Sequence, residues 1–282
     1  MFTKKMKGKI IMGYNKDIQQ KIIEEVKSLP EINPGREIGE RVKFLRSFLQ
    51  KTGLKGFVLG LSGGQDSTLA GKLAQTAVSV EGKKFIAMKL PYGEQKDAED
   101  VELAIDFIKP DNVFNFDIKP VVDAFCHEYE RATGEILTDY HKGNVKARIR
   151  MVAQYAVAGM KSLAVLGTDH ASENCTRFFT KFGDGAADIL PLFGLTKFQG
   201  AELLKNLDSP DRFYKKTPSP DLLDNTPCRP DEDELGFTYQ DIEDFLTGKE
   251  VCDEVFDKIY AFYLKGDHKA KPPITIYDNY TF

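Results

Sequence analysis

No run of apolar residues in this 282-residue chain approaches the length of a membrane helix. The start, MFTKKMKGKIIMGYNKD, is basic, but its apolar stretch from Ile10 to Met12 is too short for a secretory signal. Cysteine is scarce. Cys126, Cys175, Cys228 and Cys252 stand too far apart for a CxxC pair, which leaves a zinc or iron–sulfur site without support. They do not form the framework of a small secreted domain either, so a reducing cytoplasm is the expected compartment. Positive charge is not in excess: 39 lysines and arginines against 43 aspartates and glutamates argue against a general nucleic-acid binder. Repeats and low-complexity segments are also missing. What remains is the profile of a soluble globular protein, 41% hydrophobic and 29% charged. It is long enough to bury a core without staples.

Apolar residues at helical spacing predict helices over Gln19–Leu29 and Ile38–Leu49, with Asn33-Pro34-Gly35 as a turn between them. Strands and helices then alternate. Gly56–Leu61, Phe85–Leu90, Val113–Ile118 and Leu163–Gly167 read as strands; Ser67–Val80, Lys96–Ile108, Val121–Arg131 and Asn144–Met160 read as helices. This alternation predicts an α/β fold, a doubly wound and mostly parallel sheet with helices on both faces. Ligands bind beyond the carboxyl ends of the strands in such sheets, which points to the loops after Leu61, Leu90 and Gly167. Asp169–Leu195 shows little periodicity, Asp208–Glu234 is expected to be loop, and Tyr239–Leu246 and Cys252–Leu264 close the chain as helices. A single domain is expected over 1–282: N-terminal helices 15–52, an α/β core 56–207, and a loop with a helical extension 208–282.

Between the first predicted strand and its helix lies Gly60-Leu61-Ser62-Gly63-Gly64-Gln65-Asp66-Ser67-Thr68. Backbone amides and a helix amino end make such a loop an anion site. A Walker loop is excluded, because Leu73 follows Gly71-Lys72 and Asp66 stands where the first glycine belongs. A hydrolase elbow fits G-x-S-x-G at Gly60–Gly64, but it needs His170 or His268 to complete a triad and no HGGG segment precedes it. The third reading is the SGGxDS pyrophosphate loop of ATP-splitting, AMP-forming enzymes, matched by Ser62, Gly63, Gly64, Asp66 and Ser67. A plain capped strand–helix turn accounts less well for a double glycine set between two serines and an aspartate.

The loop alone resembles those of GMP synthetases, asparagine synthetases and tRNA-thiolating enzymes. Three segments downstream narrow the resemblance: Lys142-Gly143-Asn144-Val145-Lys146-Ala147-Arg148, Gly167-Thr168-Asp169-His170-Ala171-Ser172-Glu173, and Phe178-Phe179-Thr180-Lys181-Phe182-Gly183-Asp184-Gly185. In this order they are similar to motifs of the bacterial ammonia-dependent NAD synthetases. The likeness runs from the first predicted helix to the last residues. It departs at Asn174 and Cys175, where small or apolar residues are usual, and at Gly185-Ala186-Ala187, which replaces a commoner double glycine.

The resemblance implies an adenine-nucleotide α-hydrolase-like fold, with ATP, deamido-NAD and ammonia as substrates and Mg2+ as cofactor. By position, Gly60, Leu61, Ser62, Gly63, Gly64, Gln65, Asp66, Ser67 and Thr168 would bind ATP, joined by Lys197 and by Ser219, where the family often carries threonine. Asp66 and Glu173 would hold Mg2+, and Asp66, Glu173 and Lys197 would serve catalysis. Arg148, Lys181, Asp188, His268 and Lys269 would contact deamido-NAD. The resemblance further implies a homodimer with deamido-NAD near the subunit interface. Amidation needs the nicotinate carboxylate to be activated as an acyl-adenylate before ammonia displaces AMP. Only two predicted helices precede Gly56, which leaves no room for a glutaminase domain, so free ammonia or a separate protein is expected to supply nitrogen. Two alternatives remain at this point. One is another ATP pyrophosphatase of the superfamily; the other is a nucleotide-binding sensor on the same scaffold.

Overall fold

The computed structural model describes residues 4–6, 9–93, 98–215, 224 and 231–278. A short antiparallel hairpin, β1 (Lys4–Met6) and β2 (Lys9–Ile11), opens the chain, and no hydrophobic pattern in the sequence predicts it. Helices α1 (Lys16–Val26) and α2 (Pro34–Thr52) follow. The expected turn Asn33-Pro34-Gly35 is instead the start of α2: the Asn33 side chain accepts the Arg36 amide at 2.9 Å and Pro34 opens the first turn. Asparagine at the cap and proline just inside it favour a helix start as strongly as a turn.

The alternating core is β3 (Gly56–Gly60), α3 (Gln65–Glu81), β4 (Lys84–Lys89), α4 (Ala98–Ile108), β5 (Asn112–Asn115), α5 (Lys119–Thr133), α6 (Asp139–Lys161) and β6 (Ala164–Val165). The expected start of α4 at Lys96 lies outside the described residues. The four strands β5-β4-β3-β6 form one sheet, parallel throughout. A single bridge from Leu166 to Ile189 extends its edge. Successive residues of β3 serve opposite faces. Phe57 and Leu59 pack with Leu69, Leu73 and Leu203 on one side, while Val58 joins Ile118, Val122 and Ala153 on the other. A strand buried on both faces reads as an unbroken apolar run, which is why β3 was legible. Because β3 has β4 on one side and β6 on the other, the chain reverses direction across the sheet beside β3. This is the switch point at which such folds bind ligands.

Beyond the sheet come α7 (Ala171–Thr176), α8 (Lys197–Asn206), α9 (Arg212–Lys215), α10 (Asp231–Leu235), α11 (Tyr239–Leu246) and α12 (Asp253–Ala270). The sequence reading gave no helix over α7 or α8 and placed α9 and α10 in loop. α8 carries a signal that was missed, the capping box of Thr196 and Gln199. α1, α7, α11 and α12 bury a separate cluster that includes Ile22, Cys175, Phe245 and Phe256. α12 runs further than expected, so His268 and Lys269 lie in its last turn.

Candidate active site

The turn after β3 and the turn after β6 meet over a cavity of about 550 Å³. Gly60, Leu61, Ser62, Gly64, Gln65, Asp66, Ser67, Thr168, Glu173, Lys197, His268 and Lys269 all line it. The loop is fixed from several sides. The Gly60 amide donates to Gln154 Oε1 at 2.7 Å, and Ser62 Oγ lies 3.1 Å from Ser67 Oγ and accepts the Gly64 amide at 3.2 Å. Among the described residues Ser62 has no histidine partner, so the hydrolase triad is not assembled. No side chain caps α3, which begins at Gln65, leaving its first-turn amides available to an anion. Gly63 has φ +73°, and a Cβ there would fall 2.7 Å from the Asp100 backbone. The loop therefore sits directly on the first turn of α4.

Gln65 points away from a phosphate role. Its amide donates to the Lys197 carbonyl at 2.7 Å and ties α3 to the start of α8. Lys197 Nζ in turn donates to Asp66 Oδ2 at 2.6 Å, and its ring-side neighbour is Tyr239 at 5.7 Å. On the other side of Asp66, His170 Nε2 lies 3.6 Å from Oδ1 and 3.9 Å from Glu173 Oε2. One ligand atom each from Asp66, His170 and Glu173 falls within 4.8 Å of the others. Two carboxylate oxygens at that spacing suit a hard cation such as Mg2+, whereas an imidazole does not. The two residues assigned to the metal therefore fit it.

The electrostatics of the cluster are those of crowded negative charge. Burial alone would push Asp66 up, but Lys197 and the hydrogen bonds around it hold its carboxyl below the usual range. Burial raises Glu173 well above that range, with Asp66 and Asp169 adding to the rise. Asp169 is pushed up to about 7 by burial and by the charges of Asp184 and Asp66. Burial also drives His170 down to about 4, so its ring is neutral at pH 7. Neither ring nitrogen has a hydrogen-bond partner among the described residues.

A prediction follows for Asp169. Its folded carboxyl titrates near 7, and an unfolded aspartate near 3.9. The stability it contributes is thus fully present below about pH 4, falls as pH rises from there, and is gone by about pH 7, on the order of 4 kcal/mol in all. Asparagine mimics the protonated form. Asp169→Asn should raise the melting temperature of the metal-free protein at pH 8 by about 5 °C or more, and by less than half as much at pH 5. Thermal melts at the two pH values test this; equal shifts at both would defeat it.

Other residues proposed from sequence are placed elsewhere. Arg148, Lys181 and Asp188 do not line the cavity. Arg148 is exposed on α6 and donates to the Lys181 carbonyl at 3.4 Å. Lys181 Nζ donates to the His268 carbonyl. Asp188 accepts the Val165 amide at 2.8 Å and the Tyr155 hydroxyl at 3.4 Å, at the exposed edge of β6. Ser219 lies outside the described residues. The cavity also holds residues that received no role, among them Arg150, Gln154, Arg177, Asp184 and Asp231. Asp184 lay inside a quoted motif, but nothing in the order of residues said that its chain would fold back beside Lys269.

A family profile for NAD synthase matches residues 37–273. An NH(3)-dependent NAD(+) synthetase of Bacillus licheniformis is 54% identical over 268 residues, covering 93% of this chain and 98% of its own length. The solved NAD+ synthetase of Burkholderia pseudomallei superposes with a TM-score of 0.78 at 40% identity, covering 90% of this chain and 96% of that one. An NMN synthetase from Francisella tularensis gives 0.80 at 36% identity, with coverages of 88% and 100%. The chain belongs to the NAD synthase family and stands among its ammonia-dependent members.

Proposed function

We propose that the chain amidates deamido-NAD to NAD, using ATP and ammonia and releasing AMP and pyrophosphate. The observation that carries this reading is the convergence of the SGGxDS loop, Asp66, Glu173 and Lys197 on one cavity at the switch point of the sheet. A carboxylate resists amidation because its charge repels nucleophiles and oxide leaves poorly. Attack of the nicotinate carboxylate on the α-phosphate corrects both faults, and ammonia then displaces AMP.

The chain's own part is largely electrostatic. Loop amides, the hydroxyls of Ser62 and Ser67 and the Lys197 ammonium stabilise the charge that builds on pyrophosphate. Asp66 orients Lys197 through their 2.6 Å contact. Mg2+ held by Asp66 and Glu173 would neutralise phosphate charge. No covalent enzyme intermediate is needed, so Ser62 binds and does not attack.

Arg148, Lys181 and Asp188 lie off the cavity wall, and Val121, Phe125, Val152 and Met160 are exposed on the neighbouring α5 and α6. We read this face as the contact of a homodimer, with the three polar residues meeting deamido-NAD at its edge. Phe125→Glu combined with Val152→Glu should then give a monomer by light scattering and raise KM for deamido-NAD about tenfold or more, the loss expected from removing binding energy near 1.4 kcal/mol. A double variant that stays dimeric, or a monomer with unchanged KM, would remove this face from the reading. No described helix is long and apolar enough to cross a membrane, in keeping with the cytoplasmic location we infer.

The reaction is tested by coupled NAD formation from deamido-NAD, ATP, Mg2+ and ammonium, with glutamine replacing ammonium in parallel. NAD from ammonium alone is expected. The kinship with an NMN synthetase makes nicotinate mononucleotide the substrate to compare. A higher kcat/KM for it would shift the assignment to the mononucleotide.

A further inference from the structure

Arg177 ends α7 in the left-handed region, at φ 52°, a conformation that disfavours any residue with a Cβ. Its side chain is nonetheless 3% exposed and lies among the helices α1, α7 and α12. The guanidinium pairs with Glu25 of α1 and stacks 4.6 Å from the Tyr263 ring of α12, whose hydroxyl donates to the same Glu25. One turn along α12, Gly266 presses against the stem; a Cβ there would fall 2.2 Å from Arg177 Cβ. Arg177, Gly266 and Lys269 all line the main cavity.

Burying a guanidinium for stability alone is a poor choice. A well-packed hydrophobic residue usually does as well or better in such a site, and glycine would avoid the strained φ. The arrangement makes more sense as geometry. Lys269 Nζ donates to the Arg177 carbonyl at 3.0 Å and to the Phe179 carbonyl at 2.9 Å. A lysine ammonium has three donors, so two are spent on orientation and one is left for a ligand. The pairs to Glu25 and Tyr263 fix where the Arg177 carbonyl stands relative to the last turn of α12.

We infer that Arg177 is a positioning residue, clamped by Glu25 and Tyr263, that aims Lys269 into the cavity to hold the acid substrate. This rests on the reading of Lys269 as a deamido-NAD contact. The clamp acts through Lys269 and touches neither ATP nor the reacting carboxylate.

Steady-state kinetics and thermal melts of Arg177→Met, Arg177→Lys, Glu25→Gln, Lys269→Ala and the Arg177→Met/Glu25→Gln double variant test the inference. Arg177→Met should raise KM for deamido-NAD about tenfold, leave kcat within about twofold and leave KM for ATP unchanged, the pattern of lost ground-state binding. Glu25→Gln should act in the same direction, and the double variant should be no worse than Arg177→Met. Arg177→Lys, which keeps the charge pair, should recover part of the loss. If Arg177→Met does not fold, Glu25→Gln carries the test alone. Lys269→Ala raising KM while Arg177→Met and Glu25→Gln leave it unchanged would overturn the clamp and spare the reading of Lys269. Unchanged KM in Lys269→Ala would overturn both. A loss shared equally by both substrates and matched by a fall in melting temperature would reduce Arg177 to a structural role.

Discussion

Asp66→Asn should lower kcat/KM by about a thousandfold or more, a loss near 4 kcal/mol of transition-state stabilisation. Two effects combine in that figure. The first is metal affinity, since an amide oxygen is a weaker ligand than a carboxylate for a hard cation. The second is Lys197, whose side chain is 13% exposed and whose ammonium rests on Asp66 Oδ2 at 2.6 Å. Without the carboxylate, Lys197 has only Glu173 and Asp231, neither in hydrogen-bond contact, to balance it. Raising Mg2+ should restore part of the activity, because only the first effect answers to metal concentration. The fold should survive, as the variant removes a charge from a cluster whose neighbours Glu173 and Asp169 are already strained toward protonation. Circular dichroism together with a Mg2+ titration of the rate would check this. A variant retaining more than about a tenth of wild-type activity would contradict the role given to Asp66, since loss of one preorganised charge contact costs at least a hundredfold.

The parts of the fold that were legible are those in which local pattern and burial agree. β3 and β4 are continuous apolar runs because both of their faces are covered, and α3 and α6 follow at helical spacing. Where the chain lacks a period, the sequence said little. α7 is six residues long, too short to show an amphipathic stripe, yet it carries Glu173. α8 opens on a capping box, but only its position against Gln65 brings Lys197 to Asp66, across 131 residues of chain. The twelve cavity-lining candidates were named from motif order, which specifies residue types and not distances. That is also why Asp169 and Asp184 went without a role: their raised titration comes from burial, joined at Asp169 by the charges of Asp184 and Asp66, and burial is a property of the closed fold. Arg148, Lys181 and Asp188 show the reverse case. Their motifs are clear, and a single chain places them outside the cavity.

Gly63→Ala should be the most damaging substitution that leaves every functional side chain in place. At φ +73° an alanine is strained by about 1–2 kcal/mol before any contact is considered. Its Cβ would also lie 2.7 Å from the carbonyl carbon and Cβ of Asp100 and from the Val101 amide. These atoms cannot swing aside. Asp100 is 3% exposed and its carboxylate is held by Arg212, while Phe213 beside it packs against Phe107 of α4 at 6.0 Å. The loop must therefore move instead, taking the amides that cradle phosphate out of register. A displacement near 1 Å is enough to cost about a hundredfold in rate, so kcat/KM for ATP should fall at least that far while the melting temperature drops by only a few degrees. Gly64→Ala is the matched control. Its backbone is in an ordinary extended conformation, and its Cβ would meet only the Ser62 hydroxyl, at 3.3 Å, which can rotate. If the two alanines prove equally harmful, the loop is sensitive to any added bulk and its seat on α4 is not what sets the phosphate geometry. If Gly63→Ala alone is crippled, the first turn of α4 is the surface against which the nucleotide loop is shaped.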